Sequence, residues 1–93
     1  MTQWPFDQPK NAVAITTKEV MNKSSDILRV THDLDDHGWQ FLGKNGADIE
    51  QAMVVSMENV VSLDTSVLEI AEIQPGQSAT RKSKNDDWVI EKT

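Results

Sequence analysis

Hydrophobic and polar positions alternate along this chain in short, irregular segments. Ala12–Thr16 (AVAIT) is compact, β-capable and bounded by polar residues, which predicts a first strand. Thr16 or Thr17 is placed to cap a short helix running to Met21, with Glu19 in its first turn and Val20 and Met21 facing inward. Asn22–Asp26 is a polar loop. Ile27–His32 then alternates: Leu28 and Val30 share one face, Arg29 and Thr31 the other, as in a half-buried strand. Gly38–Leu42 reads as the return strand, with Trp39 and Phe41 on one face and Gln40 and Leu42 on the other. The two strands form an antiparallel hairpin around Asp33–His37, where aspartates favour the turn and Gly38 supplies a permissive backbone.

The second half continues in the same style. Gly43–Gly46 is a loop by its glycines. Asp48 caps one helical turn through Gln51, and Ala52–Met57 is a short strand. Ser56 or Glu58 starts a helix over Asn59–Leu63, and Asp64-Thr65-Ser66 is a turn that caps Val67–Ala71. Val67, Leu68, Ile70 and Ala71 make an apolar stripe, leaving Glu69 and Glu72 on the wet side. Pro75-Gly76 is a turn, and Ala79–Arg81 and Trp88–Ile90 form a terminal hairpin around Lys82–Asp87. Crossover helices of roughly ten or more residues are missing, so the expectation is a small α+β domain with a mainly antiparallel sheet and two or three short helices. Pro5 and Pro9 oppose helix near the start. Residues 1–11 are therefore expected to be an irregular arm, docked through Trp4 and Phe6 on a single domain of residues 12–93.

Composition narrows the function more than the fold. A chain of 93 residues makes one domain with one modest core. It has no cysteine, which excludes disulfide scaffolds and thiolate zinc sites. No apolar run approaches the roughly 20 residues of a membrane helix, and Met1–Lys10 lack the pattern of a signal peptide. The expected address is a bacterial cytoplasm. The formal net charge is −6, against the basic footprint of a nucleic-acid binder. This charge is unevenly placed. Asp48, Glu50, Glu58, Asp64, Glu69 and Glu72 fall in a stretch without Lys or Arg, and the rest of the chain is balanced.

Several constellations invite chemistry. His32, Asp33, Asp35, Asp36 and His37 lie within six residues, a composition suited to zinc or manganese. The two histidines lack helical ligand spacing, however, and a turn rich in aspartate is the simpler reading. Paired acids on a turn are also screened by water, which opposes the tuning that acid–base catalysis requires. No GxSxG elbow or phosphate-binding glycine loop occurs, so no enzyme, metal or cofactor is expected. Arg81-Lys82-Ser83-Lys84 is read as a solvated loop beside Asp86-Asp87. Trp39 and Phe41 are read as core, and Trp88 as either core or an interface anchor.

The motif Asp35-Asp36-His37-Gly38-Trp39-Gln40-Phe41-Leu42, following a strand, resembles the bacterial immunity protein thirty-three-like domain family, with Asp36, Gly38, Trp39 and Phe41 carrying the likeness. The resemblance spans Ala12 to Ile73 and includes the strand, helix, Asp64 turn and helical turn that follow. It implies a binding protein that neutralises a toxin by covering it, and it brings no catalytic residues. The expected partner is a basic protein such as a toxin domain, met by Glu58, Glu69 and Glu72 through steering, by Asp35, Asp36 and His37 at the hairpin tip, and by Trp88. Two other readings are a metal-dependent protein using the His32–His37 cluster and a homodimer formed through strand edges or Trp88.

Overall fold

Strand alternation sorts the side chains of this protein onto two unequal faces of one sheet. The computed structural model describes residues 4–92; Met1–Gln3 of the expected arm and Thr93 of the expected domain lie outside them. The strands are β1 (Val13–Thr17), β2 (Arg29–His32), β3 (Trp39–Leu42), β4 (Ala52–Ser56), β5 (Gln77–Thr80) and β6 (Val89–Lys92). They lie in the order β4-β1-β3-β2-β5-β6. β1 and β3 are parallel, and every other neighbouring pair is antiparallel. The helices are α1 (Lys18–Met21), α2 (Met57–Leu63) and two 3₁₀ segments, Ile49–Gln51 and Thr65–Ile70. The protein is an α+β domain with a mostly antiparallel sheet.

The register puts Ala14, Thr16, Val30, His32, Trp39, Phe41, Val55 and Ala79 on one face. That face is packed: Met57 and Val60 of α2, Val67 and Ile70 of the second 3₁₀ segment, and Phe6 join it in the core. Phe6 meets Trp39 edge-on at 4.9 Å between ring centroids, a favourable aromatic geometry. Residues 4–12 contain no helix or strand, and Trp4 packs against the same cluster. The opposite face carries Val13, Ile15, Val54 and Val89, which are exposed toward the two edges of the sheet, with Gln40 and the buried Thr31 and Leu42 between them.

Capping follows the sequence closely. Asp48 accepts from the Glu50 N–H, Ser56 from the Asn59 N–H and Asp64 from the Ser66 N–H. Each satisfies a donor that the first helical turn leaves unpaired. The Ser56 cap starts α2 at Met57, two residues before the expected helix. The predicted Val67–Ala71 helix begins at Thr65 and is wound as a 3₁₀ helix.

Two local expectations are corrected. Thr17 is the N-cap residue of α1, but its side chain makes no cap bond. Thr16, on the packed face, instead donates its hydroxyl to the Phe41 carbonyl at 2.7 Å. In the β2–β3 turn the left-handed residue is His37 (φ 58°), not Gly38. Gly38 is needed for room: Asp36 Oδ1 accepts from the Gly38 N–H at 2.8 Å, and a Cβ on Gly38 would crowd that same oxygen.

Candidate functional site

The hairpin tip, the acidic stretch and the terminal hairpin are the three regions that the sequence singles out. At the tip, Asp35, Asp36 and His37 are all exposed. The arm reaches this turn, because Gln8 Nε2 donates to the His37 carbonyl at 3.3 Å.

His32 sits at the end of β2, only 3 % exposed, and belongs to the core. Its ring stacks on Trp39 at 4.0 Å between centroids. Nδ1 lies 2.8 Å from the Ile73 carbonyl oxygen, which requires a proton on that nitrogen. Nε2 lies 3.0 Å from Asp7 Oδ2, off the line of a directed hydrogen bond. The other carboxylate oxygen of Asp7 accepts from the Trp39 indole N–H at 2.8 Å. Asp33 is held by Gln40, whose Nε2 donates to its Oδ2 at 3.0 Å. The histidine–aspartate run is thereby divided. His32 faces the core and the arm, Asp33 is bonded to β3, and Asp35, Asp36 and His37 face water. Among the described residues no three His, Cys, Asp or Glu side chains converge to hold a metal ion.

The acidic stretch is also divided. Glu50, Glu58, Glu69 and Glu72 are exposed, with Glu58 in the first turn of α2, where the helix dipole favours a negative charge. Asp64 is different: it is 7 % exposed and ion-paired with Arg81 at 3.0 Å. Burial pushes the Asp64 carboxyl up. Its bonds from the Ser66 hydroxyl and N–H, with the charges of Lys84 and Arg81, outweigh that and hold it below the ordinary value of 3.8.

Arg81 overturns the expectation of a solvated basic loop, since it is 7 % exposed. Its Nε donates to the Ile27 carbonyl, Nη1 to Ser66 Oγ and the Lys84 carbonyl, and Nη2 to Asp64. Its guanidinium lies 4.0 Å over the Trp88 ring, a cation–π contact. Arg81 is buried because these partners come from three separate segments, around Ile27, Asp64–Ser66 and Lys84–Trp88, and surround its planar fork. Only Lys82 and Lys84 of the basic run are exposed. Trp88 is half-buried, packed against the core, with an indole N–H that is buried without a partner. Through Arg81 it lies beside Asp64 and the acidic 3₁₀ helix. A sequence sign of this pairing is the capping aspartate Asp64 together with an arginine directly after a short strand, but nothing local links residues 17 apart.

The open sheet face is a further candidate surface. Val13 is 68 % exposed, Ile15 41 % and Val54 69 %, and the register sets Ile15 directly beside Val54. Ile15, Leu42, Ala47, Ile49 and Ala52 line a shallow cleft of about 230 Å³ where the loop 43–51 overhangs this face. The sequence hides this patch, because Ala52–Met57 lacks polar alternation and reads like a strand buried on both faces.

No helix among the described residues is long and apolar enough to cross a membrane. Comparisons with family models, curated proteins and solved structures found no match to this chain.

Proposed function

We propose that this chain is a protein-binding module of the immunity type, which docks on a basic protein, such as a toxin domain, and covers it without chemistry. The observation that carries the reading is the placement of the acidic stretch. Glu58, Glu69 and Glu72 stand exposed on α2, the 3₁₀ helix and the residues just after it. The buried acid among them, Asp64, is already neutralised by Arg81. The surface charge left over attracts a basic partner and speeds its encounter. The exposed Asp35, Asp36 and His37 add further acids at the hairpin tip, and Arg81 joins Trp88 to Asp64. The resemblance carried by Asp36, Gly38, Trp39 and Phe41 points to the same class of function.

The test is calorimetric titration with the purified product of the adjacent gene. One-to-one binding that weakens with added salt, and about tenfold on replacing Glu69 and Glu72 by lysine, is expected. Absence of binding, or binding indifferent to both salt and charge reversal, removes the reading. Loss of the partner's toxicity on co-expression then separates an immunity protein from an ordinary binder.

A further inference from the structure

We infer that the outer edge of β4 is a strand-addition site, and that its occupant is an extended segment of a basic partner, a run of alternating apolar residues flanked by Lys or Arg. The inference rests on the protein-binding reading above and names how such a partner is held.

The backbone supplies the first argument. Met57 donates its N–H to the Ala12 carbonyl at 2.9 Å. The register then pairs Val55 with Ala14 and Met53 with Thr16. Bonded pairs alternate in an antiparallel ladder, so Met53, Val55 and Met57 turn their backbone toward β1. Ala52, Val54 and Ser56 turn theirs outward. The Ala52 N–H is taken by the Ile49 carbonyl, and the Ser56 carbonyl opens α2. The Val54 N–H and carbonyl, the Ala52 carbonyl and the Ser56 N–H remain. Among the described residues no strand lies beyond β4 to meet them. They form a ladder with donors and acceptors in place for an added strand.

The side chains supply the second. Edge strands are commonly protected by charged residues, proline or a bulge. Ala52–Ser56 (AMVVS) carries no charge and no proline, and it pairs with β1 residue for residue without a bulge. The other edge, β6, carries Glu91 and Lys92. The open face beside β4 is apolar through Val13, Ile15 and Val54, so an added strand with apolar residues at alternate positions extends that patch and covers Val54.

Charge selects the occupant. Asp48 and Glu50 stand before β4 and Glu58 just after it, with no Lys or Arg from 48 to 72. Two copies pairing antiparallel about Val54 would bring the Glu50 end of each β4 toward the Glu58 end of the other, acid toward acid at both ends. A strand with Lys or Arg at its ends meets those acids with opposite charge.

The experiment uses the full chain and a labelled nine-residue peptide of alternating valine and threonine with two lysines at each end. Anisotropy should show binding, with slowed hydrogen exchange at the Val54 amide. Exchanging the lysines for glutamates should weaken binding about tenfold, as should Val54→Lys, whose fold is checked by circular dichroism. N-methylating the peptide backbone on its bonding edge should abolish binding while leaving its charge intact. Failure of the lysine peptide to bind at about 1 mM overturns the inference. So does equal binding of the N-methylated peptide, which leaves the acidic attraction of the proposed function standing. Concentration-dependent dimerisation abolished by Val54→Lys would assign the edge to a second copy and overturn the basic occupant. Binding of the adjacent gene product with unchanged affinity for the Val54→Lys variant separates the two ideas: docking at β4 falls and the binding function stands.

Discussion

At the residue scale, one side chain organises the end of the molecule farthest from the arm in sequence. Arg81 fills its guanidinium with partners from Ile27, Asp64, Ser66 and Lys84 and covers Trp88. A lysine keeps the charge but cannot reproduce a planar fork bonded on several sides. Arg81→Lys should therefore destabilise the protein by about 2 kcal/mol, and Asp64→Ala, which strands a buried cation, by about 3–5 kcal/mol. Urea denaturation checks both. A loss below 1 kcal/mol for Asp64→Ala would show that the pair contributes little. The same carboxylate gives a signed pH dependence. Its folded value lies below the ordinary 3.8, so the unfolded state takes up the proton first. The stability from ionised Asp64 is thus fully present above its unfolded value and is lost as pH falls through the lower folded one. The gap in melting temperature between the native protein and Asp64→Asn should be constant near neutrality and shrink below about pH 4. A gap that stays constant down to pH 2 contradicts this. None of this was legible in Arg81-Lys82-Ser83-Lys84 as a string, because composition there describes a wet loop. Burial of Arg81 depends on segments brought together only by the sheet.

At the element scale, the sequence was most informative where the determinant is local. Asp48, Ser56 and Asp64 each cap the segment that follows, and the cap chemistry acts over two or three residues. The β2–β3 hairpin was equally legible, since alternation and an aspartate-rich turn lie within one continuous stretch. What the pattern did not reveal is that β3 inserts between β2 and β1, parallel to β1. That neighbour goes with tertiary packing of Phe41 and Trp39 in the shared core, and no local period encodes it. Ser56 offers a clean test of an element-level term. Its hydroxyl accepts the Asn59 N–H at 3.1 Å, and Ser56 ends β4 as α2 begins. Ser56→Ala should cost about 1 kcal/mol and Ser56→Asp close to nothing, because aspartate caps equally well. Matched urea midpoints for all three proteins would mean that packing of Met57 and Val60 alone sets the helix start.

At the scale of the whole molecule, the question is whether the segment before β1 is an accessory or part of the core. The sequence suggests docking from two aromatics flanking Pro5, and the contacts are more extensive than docking alone implies. Phe6 is 6 % exposed and packs edge-on against both Trp39 and Phe41. Asp7 accepts the Trp39 indole N–H and lies beside His32. Gln8 reaches the hairpin tip, and its carbonyl accepts the Trp4 indole N–H at 2.6 Å. Apart from the local Trp4–Gln8 bond, these contacts join residues 25 or more positions apart, so the segment closes one side of the packed sheet face. Removing a buried phenylalanine side chain typically costs about 3–5 kcal/mol, a large share of the roughly 5–15 kcal/mol that holds a small domain folded. Phe6→Ala should accordingly lower the melting temperature by more than about 10 °C and shift Trp39 emission to the red as water reaches its face. Asp7→Asn separates charge from packing, since its amide oxygen can still accept the indole N–H while the negative charge beside His32 is gone. It should cost well under half the Phe6→Ala value. If Phe6→Ala melts within about 2 °C of the native protein, the aromatic cluster is closed by Trp39 and Phe41 alone, and the segment before β1 is only a covering layer.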